Sequence, residues 1–258
     1  MKKDVHHEWP MASYMEAWKT FRSRSNENEE TAAHILDCEN WPRHDDLVIL
    51  DIGCGDGLLL KQLILQCRTA IWEVRLLDPD HDLIQLAKGN LEGLGDVMVT
   101  AIDGFAEDHF PGVAIDCHAV LAVHVAYLMP EEAFERMMTS LPQEVPMYVV
   151  VDSPGSVFQR LWPVTAPKYA ARVANVHGLM QRLSNAGFSV RCTTVTSQTE
   201  FPLSAFERVN EAVISLLCYH NIRDLTAQQR KEVHTVLDRS VIGGRLRCQS
   251  SCYEVIRT

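Results

Sequence analysis

A short glycine-rich segment, placed between an apolar run and a helical pattern, most constrains what this chain can fold into. Residues 47–51 read LVILD, and IGCGDG follows at 52–57. The apolar run predicts a buried strand, and the apolar spacing over 58–67 predicts a helix. Glycines let the loop turn tightly and approach a ligand, and the helix that follows directs free N–H groups toward the bound group. The segment therefore predicts a strand, a nucleotide-binding turn and a helix.

Further apolar runs alternate with helical patterns up to residue 152. They predict strands at 70–77, 97–102, 115–123 and 147–151. Alternation at this spacing indicates a mostly parallel sheet that is covered on both faces. Asp80 is expected to cap the helix after the second strand. The predicted fold class is α/β, with a Rossmann-like, mostly parallel seven-stranded sheet and helices on both faces.

Helical and strand patterns also flank this region. Helices are predicted at 14–22, 29–38, 155–162, 176–186, 203–219 and 227–239, and strands at 189–195 and 250–257. The chain shows no internal repeat and no Pro/Gly/Ser linker, so we expect one domain over 1–258. Within it, 1–45 would form N-terminal cap helices, 46–152 the ligand-binding core, and 153–258 the segments that cover an acceptor site, with C-terminal strands.

Composition excludes several classes of protein. Asp and Glu number 34 against 24 Lys and Arg, a formal charge of −10, which repels nucleic acid and weakly favours a small cation. Met1–Trp9 lacks a signal-peptide apolar core, and the most apolar stretch, 113–129, is too short and polar for a membrane span. Eight cysteines are scattered without a CxxC pair, so we expect reduced thiols in a reducing cytosol and no metal site. The expected protein is cytoplasmic and monomeric.

Carboxylates at the predicted strand ends identify the kind of nucleotide. Asp78 ends the second strand, where it can accept hydrogen bonds from both ribose hydroxyls. Asp51 and Asp56 favour a sulfonium and an ammonium group over a pyrophosphate. Asp103 and Phe105 are placed to meet the edge and the face of an adenine. The candidate cofactor-binding residues are Asp51, Gly53, Cys54, Gly55, Asp78, Pro79, Asp103, Gly104, Phe105 and Val123.

The pattern over 47–151 resembles the class I S-adenosylmethionine-dependent methyltransferases. The resemblance implies S-adenosylmethionine as cofactor and an enzyme of EC class 2.1.1. A glycine loop that binds nothing is the alternative. The segment after the fourth strand lacks the Asn/Asp-Pro-Pro-aromatic and Pro-Cys signatures of base methylation, which disfavours a nucleic-acid substrate.

Two flanking segments are similar to the histamine N-methyltransferase family: YMEAWKTFRSRSNE at 14–27 and the stretch at 147–162, with weaker similarity over 244–256. The resemblance implies an acceptor pocket with aromatic walls and a carboxylate, Glu27, for a cationic group. His124 replaces a glutamine of that family, and Gln249 an asparagine. The implied acceptor residues are Tyr14, Trp18, Glu27, His124, Tyr127, Phe158, Trp162 and Gln249, of which Tyr14, Glu27 and His124 would be catalytic.

The predicted function is therefore methyl transfer to a nitrogen of a small-molecule amine. His124 would help remove the amine proton. An O-methyltransferase acting on a carboxylate or hydroxyl, and a donor-binding protein without catalysis, remain alternatives. The same aromatic residues could instead be ordinary core, and Glu27, beside Glu29 and Glu30, could be part of a solvated acidic face.

Overall fold

The structure is a computed structural model that describes residues 11–200 and 208–257. The chain divides into two compact units, each built from three separate segments. Unit 1 comprises Met1–Glu27, Asp152–Ala174 and Thr196–Ser250, and unit 2 comprises Asn28–Val151, Asn175–Val195 and Ser251–Thr258. Both units draw on the N-terminal and the C-terminal thirds of the chain. The division into cap, core and acceptor segments that the sequence predicts stays a prediction.

The helices and strands alternate along the chain as the sequence predicts. The helices are α1 (Met11–Arg22), α2 (Glu27–Asp37), α3 (Leu58–Gln66), α4 (His81–Leu91), α5 (Ala106–His109), α6 (Glu131–Thr139), α7 (Val157–Thr165), α8 (Pro167–Asn185), α9 (Arg208–Cys218) and α10 (Ala227–Ser240). The strands are β1 (Leu47–Ile52), β2 (Ile71–Asp78), β3 (Met98–Asp103), β4 (Ala119–Val123), β5 (Met147–Asp152), β6 (Phe188–Glu200), β7 (Val241–Ile242) and β8 (Arg245–Arg257). Among the described residues, every helix is too short or too polar to cross a lipid bilayer.

The strands form one sheet in the order β3-β2-β1-β4-β5-β8-β6. The pairs β1/β2, β2/β3, β1/β4 and β4/β5 are all parallel. The predicted Rossmann-like, mostly parallel α/β fold is thus confirmed. The predicted seven strands lie on this path, and the two-residue β7 adds an eighth by pairing antiparallel with β8. Strand order reverses between β1 and β4, the position where open α/β sheets bind ligands.

Burial of the central strands holds the core of unit 2 together. Every residue of β1 is buried, as is every residue of β5. The helices α2, α3 and α4 contribute Ile35, Leu60 and Ala87 to the same buried cluster. A buried aliphatic side chain stabilises the fold by roughly 1.5 to 3 kcal/mol, so these layers fix where the strand ends lie.

Three strands differ from the predicted ranges by more than one residue. The strand predicted at 115–123 begins only at Ala119, because the preceding chain forms a 3₁₀ turn and Asp116 adopts a positive φ of 62°. Strands β6 and β8 each run for 13 residues, well beyond the predicted 189–195 and 250–257. Their added residues are largely polar, so hydrophobic periodicity does not mark them.

The predicted cap of α4 is confirmed and can be tested. The Asp80 side chain accepts hydrogen bonds from the backbone N–H groups of Asp82 and Leu83. Replacing Asp80 by Ala should lower the free energy of unfolding by about 1 kcal/mol, since it leaves these donors without their partner. Urea denaturation of both proteins measures this difference. Asp80→Asn should keep most of the stability, and an equal loss in both variants would contradict a capping role.

Candidate functional site

The glycine loop after β1 adopts the backbone that only glycine accepts readily. Gly53, Gly55 and Gly57 have φ values of 67°, 54° and 72°. A Cβ on Gly53 would lie 2.5 Å from Cγ2 of Val125, and one on Gly57 would lie 2.9 Å from Cβ of Ala87. The first contact brings the loop against the segment that follows β4, and the second packs it against α4. Tight turning and close packing therefore both require glycine here.

Asp78 at the end of β2 anchors this loop. Its Oδ2 accepts the N–H of Gly55 at 3.1 Å, and its Oδ1 accepts the N–H of Asp80 at 2.9 Å. The N–H of Gly53 donates to the carbonyl of Leu77 at 2.7 Å. Each carboxylate oxygen has a further lone pair, so Asp78 can still accept a ligand hydroxyl. The structure thus brings together Gly53, Gly55 and Asp78, as predicted, with the buried Cys54 within the loop and the exposed Pro79 next to Asp78.

Three carboxylates are buried around this turn: Asp51, Asp56 and Asp78 are 3%, 7% and 6% exposed. Burial, and then the charges of Asp78 and Asp56, raise the pKa of Asp51 to about 8. Burial also raises the pKa of Asp78, as it does that of the neighbouring Cys54 thiol. Such a cluster repels a phosphate and would be relieved by a cation. We refer to Asp51, Asp56 and Asp78 as the acid cluster. The sequence already indicates that Asp56 favours a cationic ligand, although Asp56 is not one of the candidate cofactor-binding residues.

The predicted adenine-binding segment lies at the same edge of the sheet. The N–H of Gly104 donates to the carbonyl of Asp78 at 3.1 Å, which ties the end of β3 to that of β2. Asp103 is exposed, and its carboxylate lies 3.0 Å from Nδ1 of His81. Phe105 is partly buried and precedes α5. Asp103 and Phe105 are therefore accessible to a ligand, as their predicted role requires.

His124 directly follows β4 and adopts a positive φ of 55°. Its N–H donates to the carbonyl of Val150 at 2.8 Å, which extends the pairing of β4 with β5. The partly buried Val123 is the last residue of β4, and Tyr127 is buried in the 3₁₀ turn Ala126–Leu128. A non-glycine residue with positive φ at a strand end is uncommon and often marks a functional position.

Glu27 lies in unit 1 and is buried, not part of a solvated face. It is 8% exposed, and its carboxylate lies 3.7 Å from Nη1 of Arg22. Burial, followed by the charges of Glu27 and Asp152, raises the pKa of Cys248, so both carboxylates act electrostatically on this one thiol. The carbonyl of Gln249 accepts the N–H of Ser153 at 3.1 Å. Glu27, Asp152 and Gln249 therefore belong to one polar region of unit 1.

Asp152 is the residue of this region that the sequence analysis does not single out. It is 3% exposed and ends β5. An acid that directly follows a buried apolar run is a local signal, and the same signal identifies Asp51 and Asp78. Applied to β5, it would have found Asp152.

The aromatic acceptor residues form contacts inside unit 1. The Phe158 and Trp162 rings meet edge to face, 5.8 Å apart. Trp162 is buried, and its Nε1 donates to the carbonyl of Leu217 at 2.9 Å. The guanidinium of Arg22 stacks over the Trp18 ring at 5.0 Å. The Tyr14 side chain lies outside the described part of the chain. Phe158 and Trp162 thus lie side by side, as predicted. Trp162 packs in the interior of unit 1, since it is buried and hydrogen-bonded to the backbone.

The candidate acceptor residues divide between the two units. His124 and Tyr127 belong to unit 2, and the others, Tyr14, Trp18, Glu27, Phe158, Trp162 and Gln249, belong to unit 1. That they line a single acceptor pocket stays a prediction.

Solved structures of several methyltransferases are similar to this chain over most of its length. No family model and no curated protein sequence matches it. A proposed methyltransferase from Bacillus halodurans is 17% identical, with a TM-score of 0.55, 88% of this chain covered and 97% of that one. The plantazolicin methyltransferase BamL, crystallised with a triazolic desmethylPZN analog and SAH, is 14% identical, with a TM-score of 0.52 and 96% of each chain covered. The chain has the class I methyltransferase fold. YcgJ from Bacillus subtilis shares this fold at 12% identity, with a TM-score of 0.57 over 87% of this chain and 98% of its own.

The raised pKa of Asp51 predicts a pH-dependent stability. Its pKa of about 8 exceeds the ordinary 3.8, so the folded chain favours the protonated form. The free energy of unfolding should therefore fall as pH rises from about 4 to 8. Asp51→Asn removes this loss, so the variant should be more stable than the native protein at pH 8, by about 1 to 5 kcal/mol, and nearly equal to it at about pH 4.

Chemical denaturation at several pH values measures this difference. Asp96→Asn serves as the matched control, because Asp96 is exposed. The control should follow the native protein at every pH. A stability difference for Asp51→Asn that does not change with pH would show that Asp51 is already ionised in the folded chain.

Proposed function

We propose that this protein binds S-adenosylmethionine at the glycine loop and transfers its methyl group to a small molecule. The acid cluster beside the loop carries the proposal, because three buried carboxylates suit a ligand with a sulfonium and an ammonium group and oppose a pyrophosphate. The shared fold supports it, since BamL is crystallised with SAH. The similarity to BamL is a similarity of fold, and the ligand is inferred from the carboxylates of the acid cluster.

The residues present fit the parts of that ligand. Asp78 retains lone pairs for the ribose hydroxyls, and the exposed Asp103 and partly buried Phe105 suit the adenine. Asp51, whose pKa is about 8, would lose its proton when a cation binds beside it. When bound, S-adenosylmethionine supplies an electrophilic methyl group on a positively charged sulfur. The protein's own contribution is to position the acceptor and to exclude water.

Calorimetric titration tests donor binding. S-adenosylmethionine and its demethylated product should each bind with one-to-one stoichiometry, and NAD⁺ should bind much more weakly. Asp78→Asn should weaken binding about ten- to a hundredfold, because it removes a charged hydrogen-bond acceptor. The exposed Asp96→Asn should bind as the native protein does, and circular dichroism checks that both variants fold. If folded native protein gives no heat with either compound, the proposed function is wrong.

We further infer that the acceptor is an amine. Glu27 and Asp152 are both buried in unit 1, and a buried carboxylate is stabilised by a cationic partner. Arg22 lies 3.7 Å from Glu27, so the region keeps part of its negative charge. An amine must lose its proton before its nitrogen attacks the methyl group, and His124 is the proposed proton acceptor. The similarity of 14–27 to histamine N-methyltransferases supports this choice.

A labelled-methyl assay with the Glu27→Gln variant tests the acceptor class. The value of kcat/KM should fall at least about tenfold for cationic amines, because a charged partner is lost, and stay unchanged for uncharged acceptors. Glu29→Gln is the matched control, since Glu29 is exposed on the same helix. Transfer confined to hydroxyl or carboxylate acceptors would favour the O-methyltransferase alternative. Donor binding without transfer to any acceptor would favour a protein without catalysis.

A further inference from the structure

Three side chains that could bind a metal ion meet in unit 2, apart from the residues assigned to methyl transfer. His34 lies on α2, Cys38 follows the last residue of that helix, and Cys252 lies on β8. One ligand atom from each of the three lies within 4.8 Å of the other two. The spacing of four residues places His34 and Cys38 on one face of the helix, toward the strand that carries Cys252. We call these three residues the thiol-imidazole cluster.

The thiol-imidazole cluster has a closed side and an open side. Cys252 is fully buried, whereas His34 and Cys38 are only partly buried. The Cys38 thiol donates to the carbonyl of His34 at 3.4 Å, which holds it beside that residue. An ion could therefore enter past the helix side chains and reach the buried sulfur.

We propose that His34, Cys38 and Cys252 bind a divalent zinc-type ion, with solvent in the fourth position. Two sulfurs and an imidazole are the ligand set that zinc prefers over magnesium or calcium. Ligand atoms around a tetrahedral zinc lie roughly 3.3 to 3.8 Å apart, so the cluster needs only a small closure to bind the ion. Both thiols give up their protons to solvent as the two Zn–S bonds form.

Neighbouring groups orient the proposed ligands. The hydroxyl of Thr193 lies 2.6 Å from Nε2 of His34 and donates to the carbonyl of Cys252 at 3.4 Å. Metal-binding histidines are generally held by such a second hydrogen bond. The buried Glu254, two residues beyond Cys252, adds negative charge and accepts the N–H of Asn40 at 3.0 Å. Arg191 approaches Glu254 at 3.8 Å and balances part of that charge.

Alternation along the strands supplies matched controls. Thr193 and Cys252 face α2, so their neighbours Cys192 and Tyr253 point to the opposite face of the sheet. There the Tyr253 hydroxyl lies 2.5 Å from Nδ1 of His177. Cys192 and His177 thus offer the same ligand types nearby without belonging to the thiol-imidazole cluster.

Cobalt and zinc titrations of the reduced full chain test the proposal. The parent protein carries Cys192→Ser, which removes an exposed thiol. It should bind one Co²⁺ per chain, with thiolate-to-cobalt charge-transfer and tetrahedral d–d absorption bands, and Zn²⁺ should displace the cobalt. About two protons should be released per ion. Zn²⁺ should also raise the thermal unfolding midpoint of the parent.

Single substitutions assign the ligands. Cys38→Ser and Cys252→Ser should each abolish the charge-transfer bands, and His34→Gln should weaken metal binding at least tenfold. His177→Gln should bind as the parent does. Because Cys252 is buried, circular dichroism checks that the Cys252→Ser variant folds. Cys38 is partly exposed, so Cys38→Ser tests the same site with less risk to folding. Unchanged cobalt spectra in the cysteine variants, no metal uptake by the parent, or formation of only a Cys38–Cys252 disulfide would each overturn the proposal.

Discussion

The hydrogen bonds that the Asp78 carboxylate accepts are the interactions on which the rest of the candidate donor site depends. One oxygen accepts the N–H of Gly55 and the other that of Asp80, so a single side chain fixes the glycine loop and the chain that enters α4. The parallel register of β1 and β2, with Ile52 opposite Leu77, brings this carboxylate to the loop. The buried core thus fixes the positions of the strand ends, and these positions bring the residues of the candidate donor site together.

Charge burial at this site works against stability. Transferring a carboxylate from water into the protein is unfavourable unless a partner compensates, and Asp51 responds with a pKa of about 8 instead of ionising fully at neutral pH. The fully buried strands β1 and β5 offset that cost through apolar burial. Local features that oppose stability and still persist within a stable core are expected at functional sites.

Local patterns predicted the strands and helices around the glycine loop, whereas contacts between distant segments were hidden from the sequence. The order of strand, glycine loop and helix follows from signals within about twenty residues, and so does the Asp80 cap. The lengths of β6 and β8 depend on pairing between distant strands, and their polar residues carry no periodic signal. The sequence predicted no metal site because Cys252 lies far along the chain from His34 and Cys38, and only the fold brings the three residues together. Glu27 was identified by resemblance alone, and its burial required the structure.

The two acidic regions differ in a way that fits the two ligands of the proposed reaction. A sulfonium keeps its charge at every pH. The acid cluster can therefore keep Asp51 protonated in the absence of the donor and become fully ionised when the donor binds. An amine acceptor has to be neutral when it attacks, and a strongly negative environment would raise the amine's pKa and hold its proton. Arg22, 3.7 Å from Glu27, limits that effect by cancelling part of the local charge. The ion pair in unit 1 is therefore compatible with an acceptor that arrives as a cation and reacts as a neutral base.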